Sequence, residues 1–548
     1  MISAARPSRL MRPSPTLAIQ NYLHAITGLI AGGGRVDRTP APPRRQPALR
    51  ETRPASRLAR AAHSPGLRRV LPVVLAGLFT AILRAEPLSL DHAIRLALEN
   101  NQRVKVSAFS PQIARANVLT ASGAFDPALT FRRSYSEAET AGVLTPFTRR
   151  PLAQTDDYSL SLDGLMPWGL TYSLGANAQN SRGSFNAFAD NYTTFGGVSV
   201  TQPLLRGFGF GSTLANLRIA KANRGISDWQ HRQTVIDVVT NVIFAYNNLQ
   251  QARDNLRIAQ LSRDGAAQLF DENQKKLKVG ATSDAEVIQA HARVANREET
   301  VLLAERQMRD VENQLRLLTG DVAFRTMGPD FEIVPLAPAG DLTVDPAVDV
   351  KQALDHRPDY QGARLGLVID RANYSAAQNA LLPRLDFVGS YGYSGANRDF
   401  RTARDQVRDE DARSYSAGMV VRIPLTFAEG RGRARAAKLN LRQGEADLVR
   451  LEQDIALSVT AAAGQLETTR QRVAADKIAF ELAEQALENE QKRFKAGTSS
   501  TFFVLQQQEI LSSAQNSYAR ALADQRRAQA NYDRELGATL ERHNLTLN

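Results

Sequence analysis

No cysteine occurs in the 548 residues, which excludes disulfides, thiolate metal sites and a lipid anchor on an N-terminal cysteine. Histidine is scarce at seven, and the seven are scattered with no H-x-x-x-H or H-E-x-x-H spacing; G-x-S-x-G is missing as well. Neither a metal centre nor an activated nucleophile assembles from such a chain, so the expectation is no enzyme, no cofactor and no metal. Long apolar runs are also lacking. The one candidate is VLPVVLAGLFTAIL at Val70–Leu83, behind Arg68-Arg69 and ahead of Arg84-Ala85. It falls short of the roughly 18 apolar residues of a membrane helix. A basic start, a short apolar core and a small residue at its end mark residues 70–85 as a secretory signal, with a single anchoring helix as the alternative.

The excess of positive charge is local. Residues 1–69 hold 13 Arg and no Lys against Asp37 and Glu51, while the whole chain is +12. Almost nothing of that charge is left for the remainder, so the basic composition does not predict nucleic acid as a partner. Rich in Pro, Arg and Ala, residues 1–69 read as a disordered extension or as a translation start set too far upstream.

What the chain does have is a long internal duplication. Residues 274–320 and 491–537 align without a gap at an offset of 217, and residues 93–135 match 349–391 at 256. ALEN at Ala97–Asn100 pairs with ALDH at Ala353–His356, and PALTF at Pro127–Phe131 pairs with PRLDF at Pro383–Phe387. GVSVTQPL at Gly197–Leu204 pairs with GMVVRIPL at Gly418–Leu425 at 221, so the first copy carries 35 extra residues between Pro127 and Pro203. One such unit rarely buries its own apolar face, which makes a double module the natural reading. The division expected is 86–320 for the first repeat, 321–348 for a Pro- and Gly-rich equatorial belt, and 349–548 for the second repeat.

Within each copy the period switches. Leu129, Phe131 and Tyr135 alternate with polar neighbours, as do Tyr158, Leu160 and Leu162, then Leu170, Tyr172 and Leu174, then Val198 and Val200. A period of two with small polar residues between is how a barrel strand divides lipid from lumen, although a soluble antiparallel sheet alternates in the same way. Pro127, Pro203, Pro383 and Pro424 bound the strands. Gly207 and Gly209, in GFGFG, lead from strand into helix; the spacing is G-x-G-x-G rather than G-x-G-x-x-G, so a hinge fits better than a phosphate loop. In the helices that follow, Val235, Val242, Leu249 and Leu256 recur every seven residues, as do Val459, Leu466, Val473, Phe480, Leu487 and Phe494. That spacing predicts helices packed along their length. Ser212–Leu277 would run about 99 Å at about 1.5 Å per residue, matched by two shorter helices stacked end to end, Ser283–Leu318 and Arg103–Gly123. Gly280 and Gly497 mark sharp tips of two helical hairpins.

With this duplication, QPLLRGFG at Gln202–Gly209 and the paired tips KVGATS and KAGTSS, the chain resembles the TolC-type outer-membrane efflux family from about Leu88 to Leu540. The resemblance implies an α+β membrane protein, a tandem repeat of outer-membrane β-barrel strands and long α-helices forming a periplasmic coiled-coil barrel. It implies a homotrimer in outer-membrane lipid, a periplasmic adaptor and an inner-membrane pump as partners, and passive conduction in efflux or type I secretion without catalysis. It places the adaptor-docking tips at Lys278, Gly280, Thr282, Lys495, Gly497 and Ser499. The periplasmic constriction falls at Asp284, Glu286, Phe502, Phe503 and Gln506. Phe503 and Gln506 stand where the family carries acids, and Ser499 where it carries an Arg, so the constriction is expected to be aromatic rather than densely anionic. Asp284 and Glu286 are equally well explained as favourable charges in the first turn of a helix. The family contributes four strands per chain; the insertion, with strands expected near Asp157–Asp163 and Gly169–Gln179, either raises this to six or lies outside the barrel. A coiled-coil scaffold without a channel is the alternative function.

Overall fold

The computed structural model describes residues 87–139, 151–320, 332–336, 340 and 344–546. The N-terminal extension, the expected signal segment and most of the expected equatorial belt lie outside the described residues.

Helix α1 (Leu90–Asn100) is capped by Ser89 and followed by α2 (Gln102–Ser107) and α3 (Phe109–Ser122). The single helix expected over 103–123 is thus broken at Ala108. The cause is Pro111, which has no N–H for the carbonyl of Ser107. Strands β1 (Ala128–Glu139), β2 (Leu152–Leu165), β3 (Thr171–Gly183) and β4 (Tyr192–Pro203) follow. After the short α4 (Phe210–Thr213) come the 64-residue α5 (Ala215–Lys278) and the 36-residue α6 (Asp284–Thr319).

The second copy repeats the plan with α7 (Pro346–His356), α8 (Pro358–Asn379), β5 (Arg384–Asn397), a short α9 (Phe400–Arg408) and β6 (Ala412–Arg422). It ends in the 68-residue α10 (Ala428–Lys495), α11 (Thr501–Glu535) and α12 (Thr539–Arg542). At about 1.5 Å per residue α5 and α10 are each about 100 Å long. In their barrel-proximal halves α5 packs on α3 and α10 on α8; toward the tips α5 packs on α6 and α10 on α11. The stacking of two shorter helices along one long helix is therefore realised in both copies.

The heptad positions do the packing: Val235, Val242, Leu249 and Val459 are fully buried. Two apolar clusters occupy the middle of the rods. One joins α1, α5 and Leu315 of α6 around Tyr246, whose hydroxyl donates to the Leu88 and Val334 carbonyls. The other joins α7, α10 and α11 around Val459 and Tyr532. Beside it Arg357, at the α7–α8 junction, pairs with Asp359 at 2.7 Å and Glu535 at 2.5 Å.

Among the described residues six strands form one antiparallel sheet in chain order, β1-β2-β3-β4-β5-β6. The inserted residues account for β2 and β3, which pair over most of their length with each other and with both neighbours.

Candidate functional site: a two-faced sheet and paired helix tips

The registers sort the strand residues into two faces. Leu129, Leu162, Leu174, Val198, Tyr391 and Tyr415 are successive cross-strand partners, one from each strand. The next ladder toward the loops carries Phe131, Leu160, Ala176, Gly196 and Tyr393, and the next toward the prolines carries Tyr172, Val200, Gly389 and Ala417. The opposite face carries Asp163, Ser173, Ser199, Ser390 and Ser416 in one ladder, and Ser161, Gly175, Gly197, Gly392 and Ser414 in another. One face is thus mainly apolar and rich in aromatic residues; the other is mainly Ser, Thr, Asp, Asn and Gly, with Phe195, Val388 and Val420 among them. On the apolar face Leu129 is 72 % exposed and Tyr415 77 % exposed in the isolated chain, so among the described residues much of this face is left uncovered. Among the described residues no helix is long and apolar enough to cross a membrane.

The sheet also has two open edges. Among the described residues β1 and β6 each pair on one side only, and long unpaired edges of 12 and 11 residues are untenable where water is absent. At the opposite end from the loops, the four prolines sit together: Pro127 and Pro383 precede β1 and β5, Pro203 ends β4 and Pro424 follows β6. Gly207 (φ +90°) and Gly209 (φ +89°) take conformations that favour glycine. The Gly207 N–H donates to Asn379 Oδ1 at 2.7 Å and the Gly209 N–H to the Trp168 carbonyl at 3.0 Å. Trp168 lies in the β2–β3 turn, so the hinge of the first repeat clasps the inserted hairpin and holds it in the common sheet.

At the far end of the long helices, Gly280 (φ +72°) and Gly497 (φ +76°) close two similar turns. Ala281 N donates to the Lys276 carbonyl at 2.8 Å and Thr498 N to the Arg493 carbonyl at 2.9 Å. Both glycines face open space, and Lys278 and Lys495 stand exposed in the last helical turns. The tips are joined to each other. Leu269, Phe494, Val504 and Leu505 form a small apolar cluster between the hairpins, and Lys276 Nζ lies 3.4 Å over the Phe494 ring.

Glu286 accepts from the Thr282 hydroxyl at 2.8 Å and from the Thr501 hydroxyl at 3.0 Å, so its carboxylate ties one hairpin to the other. The Ser499 hydroxyl donates to Glu490 within the second tip. Asp284, Gln506, Phe502 and Phe503 are exposed, the two rings edge to face with centroids 5.6 Å apart. Thr501, which sequence reasoning did not single out, is 1 % exposed and central to this link. Its position directly after Ser500, at the start of α11, was the only available signal. Among the described residues no group of three or more His, Asp or Glu side chains is placed to hold a metal ion.

Comparison with known proteins agrees with this architecture. The family model "Outer membrane efflux protein" matches residues 153–321 and 350–538. The pyoverdine export outer membrane protein OpmQ of Pseudomonas putida is 27 % identical over 325 residues, covering 56 % of this chain and 63 % of that one. The chain thus spans less than two thirds of the length of that relative. The outer membrane protein TolC of Vibrio cholerae is 22 % identical over 314 residues, 57 % of this chain and 70 % of the other. In fold, the CmeC outer membrane channel of Campylobacter jejuni superimposes with a TM-score of 0.61 at 17 % identity, covering 82 % of this chain and 86 % of that one. With the family model matched across both repeats, and a tandem rod-and-strand module of the TolC-like kind, the chain belongs to the outer membrane efflux protein family.

Proposed function

We propose that this protein is the outer-membrane channel of an efflux or type I secretion assembly, conducting substrates passively from the periplasm to the exterior. The observation that carries this reading is the sheet with one apolar and one polar face and two unpaired edges. A head-to-tail contact of β6 on one subunit with β1 on the next satisfies both edges and, repeated by three-fold symmetry, closes a ring. Three copies supply eighteen strands, with the apolar face toward lipid and the polar face toward a lumen. At about 4.8 Å between strands and a tilt of about 40°, the backbone radius is about 18 Å, against about 12 Å for twelve strands. Eighteen strands are enough for an aqueous channel.

The helices support the same trimer. Leu302 (64 % exposed), Leu457 (70 %) and Leu482 (60 %) lie uncovered on α6 and α10 of the isolated chain, as expected of surfaces that pack on a neighbouring subunit. The tips then form the periplasmic entrance. In this reading Lys278, Gly280, Thr282, Lys495, Gly497 and Ser499 receive a periplasmic adaptor, which links the channel to an inner-membrane pump that supplies the energy. Phe502 and Phe503, repeated three times, narrow the path as an aromatic ring, with Asp284 and Gln506 beside it. Glu286 acts mainly as the link between hairpins.

Planar-bilayer recording of the purified full chain tests the proposal. Discrete, long-lived conductance steps are expected. Protein that inserts into the membrane without conducting contradicts a channel.

A further inference from the structure

We propose that the lipid-facing side of the sheet holds a binding site for a phosphate-bearing lipid of the outer leaflet, built jointly by α9 and the inserted β2–β3 hairpin. The inference rests on the membrane reading given above. α9 does not project from the loop end; it lies back on the apolar face of β4 and β5. The Thr194 hydroxyl donates to the Ala403 carbonyl at 2.8 Å, and Ala396 N donates to Gln406 Oε1 at 2.8 Å. The rings of Tyr192 and Phe400 are 5.7 Å apart. Glycines make room for it: a Cβ at Gly395 would come within 2.1 Å of the Ala403 carbonyl, and one at Gly196 within 3.0 Å of Val407.

The helix has two adjacent stripes. Phe400, Ala403 and Val407, spaced i, i+3, i+7, address the sheet, and Ala403 is fully buried. Arg401, Arg404 and Arg408, at the same spacing one residue on, form a cationic stripe beside them. All three arginines are exposed. Asp405 is the one acid within α9 and pairs with Arg404 at 2.6 Å, so the helix keeps a net positive charge. Asp399, Asp409, Glu410 and Asp411 flank it in the connecting turns.

Between α9 and the strands lies an apolar cleft of about 180 Å³, with Phe131, Leu160, Ala176 and Ala178 as floor and Phe400 and Arg404 as wall. Leu160, Ala176 and Ala178 belong to the inserted hairpin. On the same face Arg133 stands over the Tyr158 ring at 5.3 Å, at the same height on the sheet. An apolar cleft open to lipid, with Arg404 in its wall and Arg401 and Arg408 on the same helix stripe, fits an acyl chain below a phosphate. Guanidinium forks match phosphate oxygens bidentately, and long basic side chains at this depth extend toward the headgroups. A free anion would use the arginines but leave the cleft unfilled.

The test uses the full-length protein in phosphatidylcholine vesicles doped with lipid A, an acylated disaccharide carrying two phosphates, or with its dephosphorylated form. Flotation establishes insertion, and native mass spectrometry of the released protein reads bound lipid. Wild type is expected to retain the phosphorylated lipid at least about tenfold more than the dephosphorylated one. The triple variant R401Q/R404Q/R408Q should insert and assemble as wild type does but lose that preference. Equal retention of the two lipids by inserted wild type, or an unchanged preference in the variant, overturns the site alone. Displacement of the lipid by inorganic phosphate at equal concentration overturns the acyl-chain part and leaves a simple anion site. Protein that fails to float with vesicles overturns the membrane reading and this site with it.

Discussion

Replacing Leu174 with arginine, against replacing its neighbour Ser173 in the same way, separates a membrane sheet from a soluble one. Leu174 lies four residues into β3, on the apolar face between Leu162 and Val198, and is 55 % exposed in the isolated chain. Ser173 lies on the polar face between Asp163 and Ser199. A charge at the lipid midplane costs about 2–4 kcal/mol. In the proposed trimer this amounts to at most about 6–12 kcal/mol per assembly, comparable with the 5–15 kcal/mol by which typical proteins are stable at all. Arginine at position 173 meets water and the Asp163 carboxylate, so its cost should be close to zero. The assay is the amount of heat-labile trimer recovered from the outer-membrane fraction. Leu174→Arg should reduce it severely and Ser173→Arg should leave it near wild type. Equal recovery of the two, or a worse result for Ser173→Arg, refutes the assignment of the faces.

Gly497→Val forces a β-branched residue into a left-handed conformation with no neighbour to clash with; the cost is about 1–2 kcal/mol of backbone strain. Trimers should persist while crosslinking to the adaptor and efflux fall, and Gly497→Asn should be milder. If Phe503, 51 % exposed at the tip, lines the proposed constriction, Phe503→Ala should raise single-channel conductance; unchanged conductance removes Phe503 from the constriction. Arg357→Ala removes the main partner of the Asp359 and Glu535 carboxylates, leaving Glu535, among the described residues, only Arg534 at 3.9 Å, and should cost about 1–3 kcal/mol, read as a lower unfolding midpoint in denaturant. The same pair predicts a pH effect. Burial alone would raise the Asp359 carboxyl, but the hydrogen bond and charge of Arg357 outweigh it and hold the group below its ordinary value. Its stabilisation is therefore present at neutral pH and fades as the pH falls below the usual carboxylate range; the fade should be smaller in Arg357→Ala.

Much of this architecture was legible because it is local. The alternation at Leu129, Phe131, Leu160, Leu162, Leu174 and Val198 needs only a period of two, and every one of these residues falls on the same face. The seven-residue spacing of Val235, Val242 and Leu249 marked the buried stripe of α5 equally well, and Gly280 and Gly497 marked both tips. What could not be read depends on distant partners. Whether the inserted hairpin joins the sheet is decided by the Gly209 contact with Trp168 and by the pairing of β2 and β3 with β1 and β4, none of which leaves a local pattern. The partnership of Glu286 with Thr501 spans 215 residues. α9 was missed because nine residues with three arginines look like an ordinary polar loop until the apolar face of β4 and β5 is placed beneath them.

The most direct measurement is a cryo-electron-microscopy reconstruction of the full chain in lipid nanodiscs, with strands counted around the barrel wall. The account predicts three subunits, eighteen strands closed by β6–β1 pairing, and one continuous lumen from the loops to the tips. Six strands curled on a dry interior within a single subunit, or a barrel of twelve with β2 and β3 outside it, would contradict it.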